Sequence, residues 1–170
     1  MSRNVSLPTR KGYGNVKRLV LLGLFTALSA VGALIKIPSF LGTPAFDSLP
    51  GYFAAAAMGV PEGSMVAFFG HLATAYTAGF PLSLPIHLLV ATFMAGAAAI
   101  FGLVAVRKPL LGAALAVLAN GVAAPAAFIL IPGYGPAFFA AVTPALIVAS
   151  VLNVGGALLL YLGHRRRPLF

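Results

Sequence analysis

The chain has no cysteine and only two acidic residues, Asp47 and Glu62, among 170. The first absence excludes disulfides and thiolate-held metals. The second leaves a poor acid–base pair, because the two carboxylates map to opposite faces of the protein. It also leaves no carboxylate near the middle of an apolar segment, where proton-coupled pumps usually carry one. There is no G-x-x-x-x-G-K-[ST] loop for nucleotide and no G-x-S-x-G nucleophile elbow. Neither an H-x-x-x-H pair nor a carboxylate cluster offers a metal site, and no cofactor is expected. Charge is scarce altogether: 8% of residues, against about 25% in soluble domains, while 61% are hydrophobic and mean hydropathy is +1.03. Two acidic and eleven basic side chains cannot cover a protein of this size for water. The composition specifies an all-α, polytopic membrane protein.

The hydropathy pattern predicts six helices, at 17–35, 46–59, 63–79, 84–106, 110–131 and 138–163. The second is shorter than the roughly 20 apolar residues of a span. It is expected to start below the outer interface, with the 36–47 loop folded down to meet it as more than a connector. Six spans place Arg3, Arg10, Lys11, Lys17, Arg18, Arg107, Lys108, Arg165, Arg166 and Arg167 on one side and only Lys36 on the other. That asymmetry puts both termini in the cytoplasm. In a soluble protein a net charge of +9 would suggest nucleic acid; here its placement points to membrane topology, and no nucleic acid partner is expected. The polar segment 1–15 has no apolar core like that of a signal peptide. With no repeat or long linker, 1–170 is expected to be a single membrane domain.

Polar groups inside the apolar segments are the candidates for chemistry, since such residues face the bundle interior or water. His71 and Thr74 share a face of the third helix. An antiparallel hairpin places His87 nearer Thr77 than His71, so the two histidines are not expected to pair. Each could instead hold neighbouring helices together, as could Asn120 and Asn153. Asp47 sits at the start of the short second helix, with Ser48 next to it, where Asp or Ser is expected to cap free N–H groups. Glu62 follows Pro61 at the start of the third, where its charge suits the helix dipole. So many polar side chains converging in one bundle point to a polar binding cavity. On the first helix, Gly23, Ala27, Ala30 and Ala33 form a small-residue face on which another helix could pack.

The order of these features resembles a known family. A basic start leads to a small-residue helix, then FDSLPGYFAAAAMGVPEGSMVAFFGHL, an AGFPL turn, a basic loop, an Asn-bearing fifth helix and a basic tail. This is similar to the substrate-binding S component of energy-coupling-factor (ECF) vitamin transporters, over about residues 15–165. The stretches GHLATAYTAGFPLSLPIHLL and DSLPG look most like the branch assigned to α-ribazole, a precursor of the lower ligand of cobalamin. Pantothenate and other branches share the plan, including a D-x-L-P-like element.

The resemblance implies a multi-pass protein of the prokaryotic cell membrane that binds a vitamin precursor in an outward cavity covered by the first loop. It implies a membrane T subunit and two cytoplasmic ATPases as partners, consistent with the missing nucleotide loop. The T subunit would dock on Gly23, Ala27 and Ala30, although a strict A-x-x-x-A is absent from that helix. For a nucleoside-like ligand, Phe46, Phe80 and Tyr134 are candidates to pack on the base, and Asp47, His71, Thr74, His87 and Asn120 to bond the sugar. No catalytic residue is assigned. Two other classes stay open: a small membrane enzyme using His71 or His87 as base, and a structural or pore-forming oligomer.

Overall fold

The computed structural model describes residues 14–37 and 45–170; the charges on Arg3, Arg10 and Lys11, and the middle of the expected lid loop, lie outside the described residues. The protein is a bundle of helices: α1 (Asn15–Gly32), α2 (Leu49–Ala57), α3 (Val60–Thr77), α4 (Leu84–Ala105), α5 (Pro109–Leu130) and α6 (Gly135–Arg166). No named strand occurs among the described residues; one isolated bridge pairs Lys36 with Ala45 and closes the base of the first loop.

Proline and glycine punctuate the bundle. Helices α2 to α6 each carry proline in their first turn, where its missing N–H costs nothing and its fixed φ suits the helix. The expected third helix, 63–79, instead runs Val60–Thr77. Gly59, at φ 150°, allows a turn so short that α3 starts around Pro61. At the other end of α3, Gly79 adopts φ 75°. Its N–H bonds Tyr76 and the Phe80 N–H bonds Ala75, the reciprocal pattern of a Schellman stop.

Among the described residues, four helices, α1, α4, α5 and α6, are long and apolar enough to cross a membrane. The nine residues of α2 extend roughly 14 Å at 1.5 Å per residue, well short of a bilayer core. Protein, not lipid, surrounds α2: Tyr52, Phe53, Ala54, Ala55 and Ala56 are all buried. A Cβ at Gly63 or Gly102 would collide with the Ala55 backbone, so α2, α3 and α4 meet almost backbone to backbone. The alanine run makes that approach possible.

One end of the bundle gathers the basic residues. Arg18 Nε lies 2.8 Å from Glu62 Oε1, joining the starts of α1 and α3. Gly112 abuts Ala105, joining the end of α4 to the start of α5, and the His164 ring near the end of α6 packs 5.9 Å from that of Phe53. Lys17, Arg18, Arg107, Lys108 and Arg165 to Arg167 therefore share this end, and Lys36 lies at the other. Glu62 is buried and paired with Arg18, a stronger engagement than the dipole contact expected of it.

Candidate functional site

The end away from the basic cluster holds a cavity of about 440 Å³. Four walls converge on it: the residues before α2, the upper part of α3 with its turn, the start of α4, and the upper halves of α5 and α6. The sequence builds one wall from aromatic rings. Phe128 and Phe138 stack 5.4 Å apart at 29°, and Tyr134 packs edge-on to Phe138 at 4.8 Å. Polar groups complete the lining: Asp47, Ser48, His71, Thr74 and His87 from the elements α2 to α4 and the residues before them, with Asn120 and Asn153 contributed by α5 and α6.

Asn120 reaches the cavity through an irregularity in α5. Residues Ala119–Ala123 form a π turn in which the Ala124 N–H bonds Ala119, five residues back. Pro125 follows at once and has no N–H to give, so the wider turn absorbs a defect that would otherwise break the helix. The Asn120 Nδ2 donates to Ser150 Oγ at 2.9 Å. That leaves the amide one N–H and its carbonyl oxygen uncommitted within the described bonds.

Asp47 does not cap α2, and neither does the side chain of Ser48. The Leu49 N–H is bonded instead by Asn153 Oδ1 at 2.9 Å. The Asn153 Nδ2 donates to Ala45 O at 2.8 Å and to Ala149 O at 2.9 Å. One α6 amide thus pins both the end of the first loop and the start of α2. Asp47 is released to face His71, with Oδ2 3.7 Å from Nδ1.

The expected separation of the two histidines is corrected by the structure. His71 Nε2 and His87 Nδ1 lie 3.2 Å apart. The Schellman stop folds the linker back onto the last turn of α3, so α4 starts lower than an extended hairpin would put it. His87, one turn into α4, is thereby brought level with His71. Its Nε2 accepts the Leu82 N–H at 3.4 Å.

Of the expected ligand residues, Asp47, His71, Thr74, His87 and Asn120 line the cavity; Phe46, Phe80 and Tyr134 do not. Phe46 is bound by its backbone to Ile35, Phe80 packs behind His87 with ring centroids 5.8 Å apart, and Tyr134 buttresses the aromatic wall. Sequence reasoning missed Phe128, Phe138, Met94 and Ser48 as lining residues. The two phenylalanines flank the turn around Gly133 by about one helical turn each, a spacing that could have marked them. On α1, Gly23 and Ala27 are exposed and Ala30 is half-buried, with nothing within 4 Å of a Cβ at Gly23.

The comparisons agree with this architecture. The model of the family described as "ECF transporter, substrate-specific component" matches residues 17–163. A solved structure of the S component of a bacterial ECF transporter superposes with a TM-score of 0.67 at 22% identity, covering 90% of this chain and 98% of that one. No curated protein matches the sequence significantly. With nearly the whole helical region matched, the chain belongs to the family of ECF transporter substrate-specific components.

Proposed function

We propose that this substrate-binding membrane subunit captures α-ribazole, an uncharged nucleoside with a flat apolar base and a hydroxyl-bearing sugar. The observation that carries the reading is a lining that combines the stacked Phe128 and Phe138 with hydrogen-bonding side chains, with no lysine or arginine among its described residues. An anionic vitamin such as pantothenate would bring a carboxylate to a site whose described lining carries an acidic side chain, Asp47, and no lysine or arginine, and burying a charge without a cation is costly. A volume of about 440 Å³ falls within the usual range of small-molecule sites, roughly 300–1,000 Å³.

In this reading Phe128 and Phe138 pack on the base, while Thr74, Asn120 and Asp47 bond the sugar hydroxyls. The chain crosses the membrane six times with both termini cytoplasmic, which the gathering of basic residues at one end supports. A T subunit docks on the α1 face of Gly23, Ala27 and Ala30, and two ATPases supply the energy. The test is uptake into proteoliposomes. Labelled α-ribazole should accumulate with ATP when the chain is reconstituted with its T subunit and ATPases, and should not when it is alone. Accumulation of pantothenate in place of α-ribazole would keep the transporter and overturn the substrate.

A further inference from the structure

Four groups follow one another along the lining of the cavity: the Asp47 carboxylate, the imidazoles of His71 and His87, and the Leu82 amide. The separations are 3.7 Å, 3.2 Å and 3.4 Å. The last link has a fixed direction, because a backbone N–H can only donate. His87 Nε2 is therefore the acceptor, and in a neutral ring the proton sits on Nδ1. That proton points at His71 Nε2, which must then be bare, so His71 carries its own proton on Nδ1. There it faces Asp47 Oδ2 at 3.7 Å, a charge contact longer than a hydrogen bond, and the buried Nδ1 has no hydrogen-bond partner among the described residues.

We propose that His71, His87 and the Leu82 amide form a directional hydrogen-bonded relay whose outer end, His71 Nδ1, faces the Asp47 carboxylate through a 3.7 Å electrostatic contact, with both histidines neutral and protonated on Nδ1. It ties the end of the first loop to the α3–α4 turn along the cavity lining. His87 is then a positioning residue acting through His71, since both its ring nitrogens are spent inside the protein. The inference rests on the proposed ligand only for its binding readout.

Such a relay has no place for another proton. Protonating His87 Nε2 sets two donors against each other at Leu82. Protonating His71 Nε2 does the same between the rings unless His87 shifts its proton to Nε2, which moves the conflict to Leu82. One link must open in every case. Acidification therefore loosens the α3–α4 turn even though a charged His71 would draw Asp47 closer. The other titratable groups toward this end of the described elements are the buried Tyr52 on α2, Lys36 at the far end of the first loop, Tyr76 on α3, which is 74% exposed, and Tyr134, whose hydroxyl reaches Leu82 O at 3.5 Å; Glu62, Arg18 and the basic residues of α6 lie at the opposite end. Packed beside them, α1 and α6 offer the neutral Ser29 and Asn153.

The experiment uses the full chain, labelled with ¹⁵N-histidine, in nanodiscs near pH 8 without ligand. Single variants assign the three histidines. His71 and His87 should both show a protonated Nδ1 and a bare Nε2, the minority form of free imidazole. A proton on Nε2 of either ring overturns the relay. Binding of α-ribazole is then compared at about pH 8 and about pH 5, across the range in which histidine charges. Affinity should fall several-fold on acidification in the wild type and change much less in His87→Phe. An equal fall in both would also overturn the proposal. If folded wild-type chain does not bind α-ribazole at all, the ligand reading fails while the tautomers still decide the relay.

Discussion

Asn153 accepts the Leu49 N–H from a position 104 residues away in sequence. The start of α2 is therefore held by α6 and not by its own flanking residues. Asn153→Leu keeps the approximate volume but removes the cap and orphans the Ala45 carbonyl. The expected cost is roughly 2–3 kcal/mol, a lost cap plus a buried unpaired group. Thermal unfolding in detergent reads it, and a variant as stable as wild type would show that the loop end is held elsewhere.

The approach of α2 to α4 sets a paired test. Gly102→Leu drives a side chain into the Ala55 backbone and should cost about 3 kcal/mol or prevent folding. Gly96→Ala, six residues earlier on the same helix, meets nothing within 4 Å and should stabilise by up to about 1 kcal/mol. Size-exclusion profiles and melting curves separate the two; equal behaviour would remove the close packing from the account.

The Arg18–Glu62 pair spans α1 and α3 with the arginine 45% and the glutamate 9% exposed at the side chain. Reversing Arg18 alone to glutamate should destabilise by roughly 1–2 kcal/mol, a figure held down by solvent at the arginine. Reversing both residues should restore part of that loss. Absence of rescue in the double variant would assign the effect to packing.

On the aromatic wall, Phe138→Ala should weaken α-ribazole binding about 10-fold or more while leaving the protein folded, since a lost aromatic contact is worth about 1.4 kcal/mol or more. Asn120→Leu should weaken α-ribazole but leave the free benzimidazole base almost unaffected. A variant that lost both equally would place Asn120 against the base.

The helices were legible because their signals are local. Long apolar runs mark the helices, although α3 starts at Val60 and not at 63, and the basic residues sort the ends. The Asn120 and Thr74 positions followed from polarity within apolar segments. The histidine pairing was not legible, because it depends on how far a six-residue linker folds back onto α3. Nor was the capping of α2 by Asn153, since an amide in an apolar helix gives no sign of which distant backbone it will meet. Asp47 read as a cap for the same reason: its sequence position suits that role, and only the tertiary competitor displaces it.

The most direct measurement is calorimetric titration of the purified chain in detergent with α-ribazole, its free benzimidazole base and pantothenate. Tight, saturable binding of α-ribazole, weaker binding of the base and none of pantothenate is the expected result. Tight binding of pantothenate with silence toward α-ribazole would contradict the assignment of an uncharged nucleoside to this cavity.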